Sequence, residues 1–347
     1  MRRILILFLL IPVAITHAQV VGGSSTFAFM NLAASPPAAS LGGIFITPTI
    51  QSPSLIFSNV AALNPASSEI AEFNNQFLPG KISENAFAVA HHFNRIGTVA
   101  AGIQNMNYGE STRTDIYGNE NGTFKSWEYA ISLGVSRKYD EHFSYGVNFK
   151  FLQSSLGGYF ASGLCADLGI SFADTTSNWY AGLVAKNIGR QLGSYTGIRE
   201  PLPFDLEFGV ARRLKHTPFR FSVTAHHLQQ FDIRYNDPAL ASTSILISDT
   251  IVKEKHYTVD KIFRHLNFGA ELLIGKSLSA QLGYNYQRRH ELIFSQHAGM
   301  GGFSYGFSLR LKYFKLAYSH TRYNVAGGTD MLGLQLNMSG WFFKKNL

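Results

Sequence analysis

Cysteine is almost missing from this 347-residue chain: there is one, Cys165, so no intramolecular disulfide can staple the fold. Charge is scarce too, at 15% of residues, where an ordinary soluble domain carries about 25%. Aromatics nevertheless reach 14% and glycine counts 32, which excludes a disordered chain, since those are aromatic-poor and charge-rich. Beyond the first twenty residues no apolar run approaches the roughly 18 residues a membrane helix needs. Runs of Lys or Arg are missing as well, so the net charge of +8 forms no patch for nucleic acid. If such a chain lives in a membrane, it crosses as strands.

What is present begins with a secretory signal over residues 1–18. Arg2 and Arg3 supply the positive end, Ile4 to Ile15 the apolar core, and Thr16-His17-Ala18 the small residues of a cleavage site. The mature chain is expected to start at Gln19, and with no cysteine at the cut the signal is not of the lipoprotein kind.

From about residue 84, within a barrel expected over residues 68–347, large apolar residues alternate with small or polar ones. Phe303, Tyr305, Phe307, Leu309 and Leu311 alternate with Ser304, Gly306, Ser308, Arg310 and Lys312. Phe143, Tyr145, Val147, Phe149 and Phe151 alternate with Ser144, Gly146, Asn148 and Lys150, and residues 265–274 repeat the pattern. Period two gives each strand one greasy and one wet face. A soluble sandwich shares that period, but these segments have the roughly nine to eleven residues a tilted strand needs to cross a bilayer. Aromatics such as Trp127 with Tyr129 and Trp179 with Tyr180 gather at segment ends, as interfacial girdles require. The expectation is an all-β, antiparallel transmembrane barrel of about 14 strands. Tight links after even-numbered strands, and longer ones at 107–123, 189–201 and 232–261 after odd ones, would put both termini in the periplasm of a Gram-negative bacterium and the long loops outside.

Residues 19–67 break the pattern, being rich in Gly, Ser, Ala and Pro. A disordered leader and a plug folded into the lumen are both open readings; Ile44, Phe45, Ile46, Leu55 and Ile56 favour the plug because they need burial. In a plug, Leu41, Gly42 and Gly43 should form a tight turn against the wall. Asn64, Pro65 and Ala66 should end it, because proline fixes the direction in which the chain enters the first strand.

The series from Gly22 to Leu32 (GGSSTFAFMNL), then Ala38 to Gly43 (AASLGG), then Leu63 to Ala66 (LNPA) resembles the PorQ family. Further likeness lies in Gly97 to Gln104 with Asn107 to Gly109, in Asp260 to His265 with Phe268 to Glu271, and in Gly283 to Arg289, so that it spans nearly the whole mature chain. That family consists of outer-membrane barrels of the type IX secretion system, related to the long-chain fatty-acid transporters. The resemblance implies partners: a second barrel, a sortase-like peptidase, a surface adaptor, and the outer-membrane lipid with lipopolysaccharide.

No catalytic constellation, cofactor site or metal site is legible. His91 with His92 and His226 with His227 are adjacent pairs, whose members would point to opposite faces of a strand and so could not chelate by themselves. Cys165 is expected to pack in the lumen, and charges such as Lys150, Asp167, Asp205, Glu207, Glu271, Arg310 and Lys312 to pair with one another or with the plug. The partner surface is expected on the loop 232–261, through Ile245, Leu246, Ile247, Lys253, Lys255 and Tyr257, with a lid over the barrel mouth as the alternative. The expected function is a non-catalytic anchor for the complex that attaches secreted cargo to the cell surface. The alternatives are an outer-membrane transporter of hydrophobic, fatty-acid-like molecules and an aqueous porin.

Overall fold

The computed structural model describes residues 25–233, 258–291, 300–323 and 327–338. Fourteen antiparallel strands close into a barrel in which each pairs with its sequence neighbours. They are β1 Ile70–Leu78, β2 Ile82–Phe93, β3 Gly97–Thr114, β4 Glu120–Lys138, β5 Phe143–Leu156, β6 Tyr159–Asp174 and β7 Trp179–Gly193. The second half comprises β8 Asp205–Arg213, β9 Phe219–Ala225, β10 Leu266–Ile274, β11 Leu278–Asn285, β12 Phe303–Arg310, β13 Phe314–Arg322 and β14 Gly328–Asn337. The seam between β1 and β14 runs from Ile70 opposite Asn337 to Phe77 opposite Asp330, so the sheet has no free edge.

The alternation resolves into an inverted barrel. On β12, Phe303, Tyr305 and Phe307 are exposed while Ser304, Gly306 and Ser308 are buried; β5 likewise exposes Phe143, Phe149 and Phe151 and buries Gly146, Asn148 and Lys150. An apolar exterior around a polar interior is the reverse of a water-soluble barrel, and it is stable when the outer solvent is lipid and closure satisfies every backbone ladder. Trp127 stacks on Tyr129 with centroids 5.4 Å apart, inside β4 rather than at the segment end where the sequence suggested it, while at the start of β7 the Arg212 guanidinium lies 4.7 Å from the centre of the Trp179 ring.

Two boundaries differ from the sequence expectation. Residues 107–123 are largely ladder: β3 and β4 stay paired out to Thr114 opposite Glu120, across a register shift between Asn107 and Glu110. This outer hairpin is water-exposed on both faces, so it shows no apolar alternation from which a strand could be read. The second difference lies around β9 to β11, where period-two alternation read from the sequence would carry the strands over 219–231, 262–275 and 277–290. Instead β9 ends at Ala225, and the flanking segments form two helices, α2 Thr258–Arg264 and α3 Tyr286–Glu291. The helices meet: Tyr286 donates to Asp260 Oδ1 at 3.0 Å, and Arg264 Nε donates to the same carboxylate at 2.8 Å. Partial burial opposes ionisation of Asp260, yet these two donors hold its carboxyl below the ordinary range.

Candidate functional site

The lumen is filled by residues 25–67, which pass through a short helix, α1 Pro36–Ser40, and four single 3-10 turns. Proline opens α1 and the turns at 53–57 and 65–67, where its fixed φ suits a first helical position and its missing N–H costs nothing. Ser52, Asn59 and Asn64 each cap a turn by accepting the backbone N–H two residues on, at 3.0, 3.1 and 3.0 Å. Asn64, Pro65 and Ala66 therefore form a capped turn at the entry to β1. The buried interior of the plug includes Phe27, Phe29, Leu41, Phe45, Ile46, Leu55, Ile56 and Val60; burial of such a side chain contributes about 1.5–3 kcal/mol.

Small residues of the wall make room for it. A Cβ at Gly102 of β3 would lie 2.6 Å from the Phe57 ring, at Gly146 of β5 2.9 Å from Ala61 N, and at Gly182 of β7 2.5 Å from Ile46 O. On the other side, Gly306 of β12 faces Ser40 at 2.6 Å and Gly333 of β14 faces Pro36 at 2.9 Å. Alanines 86, 88, 90 and 100 complete the ring by packing on Leu55, Ile56, Phe57 and Leu63. The inward glycines thus set the distance between plug and wall.

Leu41, Gly42 and Gly43 end α1. Gly42 and Gly43 have φ of 94° and 95°, and Gly43 N donates to Ala38 O at 2.9 Å, closing the helix as a glycine cap does. The peptide groups this turn leaves without helical partners are taken by wall amides and a hydroxyl: Asn267 Nδ2 donates to Leu41 O at 2.8 Å and Ile44 O at 2.9 Å, and Asn285 Nδ2 to Gly42 O at 3.2 Å. Gly42 N donates in turn to Ser304 Oγ at 3.0 Å. Sequence reasoning missed Asn59, Asn267 and Asn285; the recurrence of asparagine at inward positions is the signal that could have found them.

Several charges inside the barrel are paired across strands. Lys150 lies 2.7 Å from Asp167, Lys186 lies 3.5 Å from Glu207, and Arg220 grips Glu271 through two bonds of 2.6 Å. Arg310 reaches the plug at Gln51, 3.4 Å away, whereas Lys312 sits 5.0 Å over the Tyr313 ring at the turn before β13. Cys165 is buried in the lumen with Phe27, Phe29 and Leu152. At the end of the barrel where β8 begins and β11 ends, a cavity of about 270 Å³ separates plug from wall. Leu32, Ala34, Phe45 and Phe57 line its plug side, and Lys186, Asp205, Glu207, His227 and Arg288 its wall side. At the opposite, short-turn end a cavity of about 290 Å³ is lined by Arg213, Arg220, Lys276, Arg310 and Lys315 with Glu271.

The histidine expectation needs a correction. It holds for His91, whose ring packs on exposed Phe93, and His92, which bonds the buried Thr98 hydroxyl at 3.0 Å. It fails at the second pair, where the two Nδ1 atoms are 2.6 Å apart. Alternation ends with β9 at Ala225, and His227 takes a left-handed φ of 53°, which swings its ring onto the side of His226. The candidate partner residues Ile245, Leu246, Ile247, Lys253, Lys255 and Tyr257 lie outside the described residues, as does the signal segment 1–18.

No family model matches the sequence, and no curated protein matches it. Solved structures do match. The toluene transporter TbuX of Ralstonia pickettii aligns with TM-score 0.50 and 13% identity over 88% of this chain and 99% of that one. A Pseudomonas aeruginosa FadL homologue aligns with TM-score 0.49 at 11% identity over 88% and 98%, and the Pseudomonas putida toluene transporter TodX with 0.49 at 10% over 88% and 96%. At these identities the likeness is one of fold alone, that of a closed, antiparallel outer-membrane barrel, fourteen-stranded in this chain.

Proposed function

We propose that this protein is a non-enzymatic, plugged outer-membrane passage for small, largely apolar molecules, with both termini on the periplasmic side. The observation that carries the reading is the cavity between plug and wall at the long-loop end, whose plug side is mostly apolar, with Asn31 and three serines among its aliphatic and aromatic residues, and whose wall side is polar. At about 270 Å³ it is near the lower bound of small-molecule pockets, suited to a ligand the size of a single aromatic ring rather than a long acyl chain. The shared fold of the toluene transporter TbuX supports the same substrate class. Uptake of a radiolabelled monoaromatic hydrocarbon by a deletion strain, with and without the restored gene, tests it. Loss and recovery of uptake are expected; unchanged uptake rejects the proposal.

A second reading rests on the sequence motifs from Gly22 to Ala66 that resemble the PorQ family. In it the barrel is the membrane anchor of a type IX attachment complex, with a surface adaptor, a sortase-like peptidase and a second barrel as partners, lipopolysaccharide as the attachment substrate, and the segment 232–261 as contact. Copurification from detergent-solubilised outer membranes distinguishes the two: the anchor brings these partners along, and the passage comes alone. Replacing 232–261 with a short Gly/Ser turn abolishes capture of the adaptor only in the second reading.

A further inference from the structure

We infer that Asp205, His226 and His227 form a binding site for one divalent transition-metal ion of the zinc class at the long-loop end of the lumen. One donor atom from each residue lies within 4.8 Å of the others. Asp205 opens β8 and the two histidines follow β9, so the backbone already brings the three together: His227 N donates to Asp205 Oδ1 at 2.6 Å, leaving Oδ2 3.6 Å from His227 Nδ1. The Nδ1 atoms of His226 and His227 share a hydrogen bond at 2.6 Å, whose proton an incoming ion would displace as the rings part to receive it. A cation on each ring would repel the other at that distance, and neutral imidazoles converging beside a carboxylate are the donor set that zinc-class ions prefer.

The surroundings fit a cation. Asp205 and Glu207 occupy alternate, inward positions of β8, and the permanently charged group ion-paired to either among the described residues is Lys186, on Glu207. Lys186 and Arg288 stand on the same cavity wall, and of the two carboxylates Asp205 is the one with no permanent cation ion-paired to it among the described residues, which leaves it to serve as a ligand. His226 is fully buried, and its Nε2 has no partner among the described residues. Its backbone is held from behind, because its carbonyl accepts from His265 Nδ1 at 2.7 Å and its N–H donates to His265 O at 3.0 Å. Asp205, Glu207 and His227 also line the cavity between plug and wall, which gives an ion its way in. Joining the start of β8 to the chain leaving β9, the ion would pin the base of the long connection between β9 and β10.

The test uses the full mature chain, purified in detergent, stripped with a chelator and titrated with Co²⁺ followed by absorption and with Zn²⁺ followed by calorimetry. One ion per chain is expected, with a visible Co²⁺ spectrum that Zn²⁺ displaces. Asp205→Asn, nearly isosteric, and His227→Gln should each weaken binding by at least the roughly 10–100-fold that loss of an outer-shell partner alone costs, whereas His142→Ala, in a tight turn, should bind as the unaltered chain does. Unaltered heat-dependent electrophoretic mobility certifies that a variant is folded. Absence of stoichiometric binding, or equal affinity in folded Asp205→Asn and His227→Gln variants, overturns the assignment.

Discussion

The plug meets the wall differently on its two sides. Against β2 to β6 it presents Leu55, Ile56, Phe57, Val60 and Leu63 to alanines and glycines, a largely apolar contact in which shape decides the fit, with Ser136, Ser144 and Asn148 donating to plug carbonyls at its β4–β5 edge. Against β10 to β13 it presents the backbone of residues 40–44, held mostly by Asn267, Asn285 and Ser304. Dry packing loses its full value when parted, since water gains nothing from apolar surface. Hydrogen bonds to backbone are exchanged for water at a net cost of about 0.5–1.5 kcal/mol each. The plug is therefore fastened on one side and hinged on the other, and a passage opened by plug movement should open along β10 to β13.

The largest effect should come from the fastened side. Ile56, wholly buried, leaves a void as Ile56→Ala, a change that costs about 2–5 kcal/mol. The plug should then leave its seat, raising conductance in planar bilayers severalfold while the barrel keeps its heat-dependent electrophoretic mobility, because strand pairing alone closes the wall. Unchanged conductance would remove the dry side as the fastening. Gly146→Val attacks the same side from the wall, driving a Cβ into Ala61 N; overpacking of this kind costs about 1–3 kcal/mol, and the conductance change should follow that of Ile56→Ala.

On the hinged side, Asn267→Ala strips the donor from the buried Leu41 carbonyl and the part-buried Ile44 carbonyl, a loss of about 1–3 kcal/mol. Here the expected readout is faster hydrogen exchange at residues 40–44 and brief openings rather than a steady current. Gly43→Val, at a φ of 95° with its Cβ 2.6 Å from Arg288 Nη2, adds about 1–3 kcal/mol of backbone strain, and the arginine tip can swing away. Its conductance should lie between that of Asn267→Ala and the unaltered protein. A larger effect at Gly43 than at Ile56 would reverse the comparison.

How much of this was legible in the sequence follows from how local each cause is. Strand number and lumen face could be read because alternation in Phe303 to Arg310 is written in adjacent residues. The outer hairpin 107–123 was hidden because water on both faces erases the pattern. The ends of β9 and β11 were hidden because Tyr286 to Glu291 carries no period-two break until α3 meets α2 through Asp260. The meeting of His226 with His227 depends on a single left-handed φ at a non-glycine residue, which composition does not announce.

The smallest effect belongs to the tight turns, where the strand pair rather than the plug is at stake. Asp140 caps the link between β4 and β5, its Oδ1 accepting from Phe143 N at 2.7 Å and His142 N at 2.8 Å. Those two amides, Phe143 foremost, hold its carboxyl below the ordinary range. A depressed carboxyl contributes stability that is fully present above the ordinary pKa of about 3.9 and is lost as pH falls through the lower folded value. The turn should thus be insensitive to pH near neutrality, and the amides of His142 and Phe143 should lose their hydrogen-exchange protection only in strong acid. Asp140→Asn keeps an acceptor oxygen and should make that protection independent of pH, while Asp140→Ala should abolish it at every pH. In both variants the conductance should match the unaltered protein, because the cap touches neither side of the plug; a current in Asp140→Ala would mean that turn and plug are coupled through β5, where Ser144 donates to Ala61 O at 2.7 Å.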